Sequence, residues 1–306
     1  MAYTEHHMHP IRMIVVDIDG TLLASPNAAI SERNCRALRE AEAAGIEIVV
    51  ATGRRQTYAV PMIEPVGLKP ETVFITSNGT VTRTMAGERI HRVLLPVETA
   101  RALCPALRPF GTMVFTFDRD GPGSLVLESV EPLAGRVSLW LEANRPWILE
   151  IRPLEHAFDA GEAPVQGMVC GPVNDMRRAE EWLVESELSG EIEVHRTEYL
   201  ARDLTILDIL PPGCSKGSAL QRLAAERQVA PEEILAIGDN FNDLEMLEFA
   251  GRPVVVGNGA PDLVELARTR QWQIAAASDE DGVAKTIEAA LALDGAAPGA
   301  PVVRGK

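Results

Sequence analysis

Ile11-Arg12-Met13-Ile14-Val15-Val16-Asp17-Ile18-Asp19-Gly20-Thr21-Leu22-Leu23 is the stretch that decides how the chain is read. Met13 to Val16, with Ile11, form a short apolar run of the kind found in strands buried on both faces of a parallel sheet. The run stops at Asp17, and Asp19 follows two residues on. On a continuing strand two such carboxylates would point the same way. Here the strand is ending, and Gly20 lets the chain turn sharply away. Open α/β sheets place their ligands outside the carboxyl ends of the strands. Two acids meeting there repel each other unless a cation lies between them, and Mg²⁺ accepts oxygen ligands of this kind. Asp and Gly are also ordinary turn formers, so the same residues fit a plain polar exit from a strand.

A chain of 306 residues has room for two domains and a sizeable core. Hydrophobic residues make up 46%, an ordinary globular share. No apolar run reaches the ~18 residues a membrane span requires. Met1 to Pro10 lacks the apolar centre and cleavage site of a secretory leader. The cysteines, Cys35, Cys104, Cys170 and Cys214, are scattered without Cys-x-x-Cys spacing, and read as reduced thiols of a cytoplasmic protein. A net charge of −15 argues against nucleic acid and anionic membranes as partners. An anionic substrate then needs local positive charge from a metal, a lysine or helix ends. His6, His7 and His9 cluster near the start, where a transition metal or a plain mobile tail would explain them. Residues 1–10 and the Ala, Gly and Pro-rich stretch 295–306 read as flexible tails.

In chain order, Ser31 fits an N-cap and Gly45 a helix-ending glycine, with Cys35, Leu38 and Ala41 as the apolar stripe between them. Ile46 to Ala51 is a second buried strand, ending in Thr52-Gly53-Arg54. A Thr hydroxyl and free backbone N–H groups at such an end suit a phosphate oxygen, or a plain βα turn. Val73 to Thr76 is a third strand, ending in Ser77-Asn78-Gly79-Thr80. This alternation is that of a doubly wound α/β domain.

After Thr80 the pattern changes. Thr80 to Arg83 and Glu88 to Val93 read as a hairpin, and Val97 to Arg108 as a helix that Pro105 should kink or end. Strands are expected at Thr112 to Phe117, Leu125 to Leu127, Trp147 to Ile151, Val165 to Cys170 and Glu191 to His195, with a helix at Asn174 to Leu188. Strands with two helices predict an inserted α+β unit. Thr205 to Leu210 then reads as the start of the return to the first domain. Ser215 caps a helix that begins at Lys216, the wrong end for a cation unless something anionic lies near. Ile234 to Ile237 is another apolar strand, ending in Gly238-Asp239-Asn240-Phe241-Asn242-Asp243. Asp239 and Asp243 fit a loop and a helix cap, or Asp239 is a third carboxylate that completes a Mg²⁺ site opened by Asp17 and Asp19. Pro253 to Gly257 and Trp272 to Ala275, with helices near Asp262 to Arg268 and Val283 to Leu293, complete the domain.

Four weak motifs in this order, each at a strand end or helix start, resemble the phosphate-transfer machinery of the haloacid dehalogenase superfamily. The resemblance runs from Ile11 to Leu293. Ser77-Asn78-Gly79, Ser215-Lys216-Gly217, Gly238-Asp239-Asn240 with Asn242-Asp243, and Asp281-Gly282-Val283-Ala284 resemble the Cof-type phosphatases, whose inserted cap is of type IIB. Cys214 is a mild departure that touches no assigned role. The implied fold is a Rossmann-like, doubly wound parallel sheet core, residues 11–82 and 205–294, with an α+β cap at 83–204.

By the same resemblance Asp17 is the nucleophile and Asp19 the acid and base. Mg²⁺ is held by Asp17, the backbone carbonyl of Asp19, and Asp239. Lys216 steadies the nucleophile and the phosphoryl charge, and Asp243 orients Lys216 or a water. Thr52, Gly53 and Lys216 hold phosphoryl oxygens, with Asn242 assisting. The implied activity is Mg²⁺-dependent hydrolysis of a small phosphorylated metabolite, by a monomer or small homo-oligomer. A phosphomutase would use the same residues, and a binding module without catalysis would keep the fold but have no need of Asp19.

Overall fold

The computed structural model describes residues 9–25 and 29–295. His6, His7 and most of both expected tails lie outside the described residues. The chain opens with β1 (Met13–Asp17), buried along its whole length. Then come α1 (Glu32–Ala43), β2 (Glu47–Ala51), α2 (Gln56–Ile63), β3 (Val73–Thr76), β4 (Val81–Thr84) and β5 (Arg89–Arg92). Ser31 Oγ accepts from the Asn34 N–H and so caps α1, and Gly45, at φ +90°, turns the chain out of it.

The middle of the chain holds α3 (Val97–Leu107), β6 (Thr112–Thr116), β7 (Leu125–Leu127), α4 (Ser138–Asn144), β8 (Ile148–Glu150), β9 (Gln166–Gly171), α5 (Val173–Glu185), β10 (Glu193–Tyr199) and β11 (Leu204–Leu210). The last part is α6 (Lys216–Arg227), β12 (Ile234–Gly238), α7 (Leu244–Phe249), β13 (Arg252–Val255), α8 (Pro261–Thr269), β14 (Gln273–Ile274) and α9 (Gly282–Gly295).

The first sheet has the order β14-β13-β12-β1-β2-β3-β4-β5. From β14 to β3 all neighbours are parallel. Ile14 and Val16 pack on one side with Leu38, Ile63 and Ile287. Met13 and Val15 pack on the other with Leu220, Met246 and Leu263. The alternation along β1 thus buries both faces under helices, as the apolar run predicts. The chain leaves β1 toward β2 on one side and returns at β12 on the other. The carboxyl ends of these three strands therefore open onto the crevice where such sheets bind ligands.

The second sheet has the order β10-β11-β9-β6-β7-β8, antiparallel except between β7 and β8. One face packs on α3 and α5 through Phe115, Val169 and Leu207 against Leu103, Leu107 and Met176. Trp140 and Leu141 of α4 pack on part of the other face. The mixed α/β reading holds, with four corrections in the insert. The β4–β5 hairpin extends the first sheet beyond β3. The three-residue turn Ser77–Gly79 is too short to carry the chain away from that edge. β11 belongs to the second sheet, because the short turn Leu200–Arg202 folds it back antiparallel on β10. The chain thus crosses between the sheets at 93–96 and 211–215, not at the expected 83 and 205. α4 is a third helix where two were expected, and α5 stops at Glu185, short of Leu188. Pro105 is accommodated in the last turn of α3. Among the described residues no helix is long and apolar enough to cross a membrane. All four cysteines are buried and unbridged.

Candidate active site

β1 ends at Asp17, which is 3% exposed. Lys216, at the start of α6, is 1% exposed, and its Nζ donates to Asp17 Oδ1 at 2.7 Å and to Asp243 Oδ1 at 2.6 Å. This anionic pair explains a lysine at the wrong end of a helix dipole. Burial works against the lysine's charge, but Asp17 and Asp243 outweigh it and hold its pKa above the ordinary value. Asp243 is fixed further: its Oδ2 accepts from the backbone N–H groups of Asp239 and Asn240 at 3.0 and 3.1 Å. Asp239 follows β12 and accepts from Thr21 Oγ1 at 3.1 Å.

Asp17, Asp239 and Asp243 each bring a carboxylate oxygen to within 4.8 Å of the others. Burial raises the Asp17 pKa, and it pushes Asp239 up to about 7 with Asp243 adding to the effect. Three clustered acids against one lysine leave an excess of negative charge that a divalent cation would balance. The donors are all oxygens, the set that suits Mg²⁺ or Mn²⁺ rather than Zn²⁺. Gly20 is required for this approach. It sits at φ +82°, and a Cβ there would lie 2.2 Å from Asp239 Oδ2.

Thr52 follows β2 and is fully buried. Its hydroxyl oxygen accepts from the Arg54 N–H at 3.1 Å and keeps its own proton to donate. Gly53 lies against Asn78, whose Oδ1 would sit 3.0 Å from an added Cβ. Asn242 reaches the same place, its Nδ2 donating to Asn78 Oδ1 at 3.3 Å. The strand ends therefore bring Asp17, Lys216, Asp239 and Asp243 into one cluster, with Thr52, Gly53 and Asn242 at its flank. The Asp19 carboxylate stands outside the group of three acids, held by Arg54.

Residues 14–287 match the model of the haloacid dehalogenase-like hydrolase family. The chain belongs to this family. It is 30% identical over 300 residues to phosphatase YwpJ of Bacillus subtilis (strain 168), covering 91% of this chain and 99% of that protein. It is 29% identical to the chloroplastic endoribonuclease YBEY of Arabidopsis thaliana over 90% of its own length, but spans only 45% of that protein. The crystal structure of a haloacid dehalogenase-like hydrolase from Bacteroides thetaiotaomicron superposes with a TM-score of 0.75 at 27% identity, covering 91% of this chain and 99% of the other. The chain is a phosphatase of the haloacid dehalogenase family, a phosphoric monoester hydrolase.

Three residues around this haloacid dehalogenase-like site make contacts that the motifs do not foretell. Arg54 is paired with Asp19, and Thr21 with Asp239. Asp208, on β11, faces Asn78 from the second sheet. Arg54 lies within the Thr52-Gly53-Arg54 stretch, where a cation next to a phosphate-binding turn is a readable signal. For Asp208 the signal is an acid in an otherwise apolar strand.

Proposed function

We propose that the protein is a Mg²⁺-dependent phosphatase of small phosphorylated metabolites, sugar phosphates or similar monoesters, working through an aspartyl phosphate on Asp17. The observation that carries this reading is the buried Lys216 ammonium held between Asp17 and Asp243, with Asp239 beside them. Such a lysine fixes the Asp17 carboxylate and keeps positive charge where a phosphoryl group would arrive. An Asp17 oxygen attacks phosphorus and the ester P–O bond breaks. Asp19 gives its proton to the leaving oxygen, then takes one from the water that frees phosphate from Asp17. Thr52, Gly53 and Lys216 hold the phosphoryl oxygens, and Asn242 assists. Asp17, the Asp19 backbone carbonyl and Asp239 would hold Mg²⁺, which when bound supplies charge to offset that of the transition state.

The six-stranded unit serves as a cap that excludes water and reads the organic part of the substrate. The phosphatase acts in the cytoplasm, in keeping with four buried, unbridged cysteines. The test is hydrolysis of p-nitrophenyl phosphate. EDTA should abolish it and Mg²⁺ restore it without any added bisphosphate. Full activity in metal-free protein would sink the reading, and a bisphosphate requirement would make the enzyme a mutase.

A further inference from the structure

The β4–β5 hairpin gathers three arginines around one acid of the second sheet. Its register slips between Thr82 and Arg83: Thr82 pairs with His91 but Arg83 with Arg89, which leaves Ile90 as an extra residue on β5. A bulge of this kind re-aims the side chains beside it. In an unbroken register Arg89 and Arg92, three residues apart, would point to opposite faces of the strand. Here Arg89 pairs with Arg83 and Arg92 with Val81, so all three arginines stand on one face.

Asp118, two residues past β6, meets them from the second sheet. Arg83 Nη2 donates to Asp118 Oδ1 at 2.7 Å, and Arg92 Nη1 to Oδ2 at 3.2 Å. Arg89 Nη1 lies 3.5 Å from the same Oδ2. Among the described residues no other carboxylate pairs with any of the three. Glu88, the acid next to Arg89 in the chain, is exposed. One negative charge thus faces three positive ones, in a chain whose net charge is −15. Asp118 does not satisfy even Arg83, whose Nε is buried and donates to nothing among the described residues. Guanidinium groups held this close repel one another, and two of the three charges are left without a counter-charge. The Asp118 side chain is 10% exposed, whereas those of Arg92 and Arg89 are 32% and 49% exposed. The outer N–H groups of this pair are therefore open to a ligand from solvent.

We propose that Arg83, Arg89 and Arg92 form an anion site, separate from the Asp17 cluster, that takes a phosphate dianion, either free or carried by a small metabolite. Two negative charges balance the excess. Guanidinium forks match phosphate oxygens in pairs, and so hold a phosphate better than a monovalent anion. A nucleic acid does not fit, because the patch is small and the rest of the chain is strongly acidic. The site lies where the two units join. Arg92 directly precedes the crossing at 93–96, and Asp118 belongs to the second sheet. None of these residues enters the phosphoryl chemistry, so the site stands or falls independently of the phosphatase reading.

The test is calorimetric titration of the whole protein with inorganic phosphate, in EDTA and at constant ionic strength. Arg89→Gln and Arg92→Gln should each weaken binding roughly 10-fold, and the double variant roughly 10²-fold, the usual loss when hydrogen bonds to a charged group are removed. Asp118→Asn removes the competing carboxylate and should tighten binding. Arg227→Gln removes a cation paired one to one with Glu47, and should leave the Kd unchanged. Methylphosphonate, at a pH where it and phosphate are both dianions, separates the two sources. Binding as tight as that of phosphate assigns the site to phosphorylated metabolites, and exclusion assigns it to free phosphate. A wild type that binds no phosphate, or a double variant that binds it as the wild type does, would overturn the proposal. So would an equal loss in Arg227→Gln, since phosphate would then respond to net charge alone, or weaker binding in Asp118→Asn.

Discussion

Arg54 donates through Nε to Asp19 Oδ2 at 2.6 Å, and its Nη2 meets Oδ1, so one planar guanidinium holds both carboxylate oxygens. The Asp19 side chain is 44% exposed but that of Arg54 only 14%. The guanidinium also lies 4.5 Å from the Tyr58 ring centroid, which fixes its plane. An exposed acid beside Asp17 and Asp239 would otherwise be pushed outward by them. Arg54→Met should therefore weaken proton delivery to the leaving group. Alkyl phosphates, whose leaving oxygen needs that proton, should slow by roughly 10–10²-fold, while p-nitrophenyl phosphate should suffer less. The measurement is kcat/KM against leaving-group pKa. A slope unchanged from wild type would remove Arg54 from this role.

Asp17 and Asp19 share one strand end, yet their variants should differ. On the proposed mechanism Asp17→Asn removes the nucleophile and should give no phosphoenzyme with any substrate. On the same mechanism Asp19→Ala keeps the nucleophile but lacks the base that activates water. p-Nitrophenolate leaves without a proton, so the first half-reaction should survive, while dephosphorylation should slow by roughly 10²–10⁴-fold. Rapid mixing should show a burst of p-nitrophenol near one per enzyme in Asp19→Ala and none in Asp17→Asn. Wild-type steady turnover of Asp19→Ala would refute its acid and base role.

What could be read from the sequence was what a short segment settles by itself. The β1 apolar run, Asp17 at its end and the Ser31 cap are local facts, and they appear where the residues place them. The four motifs were legible because each ends one apolar strand or starts one helix, and periodicity identifies those elements one at a time. Sheet membership was less accessible. The β4–β5 hairpin shows its pairing in its turn, but not which edge it joins. β11 has the apolar content of a core strand, and only the short turn from β10 assigns it to the second sheet. Asp208 and Asn78 come from different sheets, and no spacing rule links them. Arg54 was visible as a residue but not as the partner of Asp19, which lies 35 positions away.

Mg²⁺ should stabilise the folded protein, because the unfolded chain does not gather Asp17 and Asp239 at one place. Binding at 100 times Kd should add about 2.7 kcal/mol. The thermal midpoint should rise with Mg²⁺ concentration in wild type, and much less in Asp239→Asn. An equal rise in both proteins would place the cation elsewhere.

Lys216 offers a complementary prediction. Lys216→Met leaves Asp17 and Asp243 buried without their cation, a change that usually destabilises by roughly 3–5 kcal/mol. Urea unfolding in EDTA should show a loss of this order. Mg²⁺ should recover part of it, since the cation restores positive charge to the same carboxylates. A loss below about 1 kcal/mol in EDTA, the value of a surface ion pair, would contradict the buried geometry.

Asp208 should make stability depend on pH in a direction opposite to that of an ordinary paired carboxylate. Burial raises its folded pKa from 3.8 to about 6. The folded state therefore binds the proton more tightly than the unfolded chain. The associated stability is fully present below pH 3.8 and is lost as pH rises through about 6. Above that point the fold carries a charged group it disfavours, at a cost of at most about 3 kcal/mol for a shift of this size. Part of Asp208 remains accessible, which makes this a ceiling. Asp208→Asn mimics the protonated form, so it should stabilise the protein at pH 8 and lose most of that advantage toward pH 4. Urea midpoints of wild type and variant across this range give the difference directly. An advantage that stays flat with pH would mean that the carboxylate is solvated, and that Gln166 and Asn78 do not enclose it.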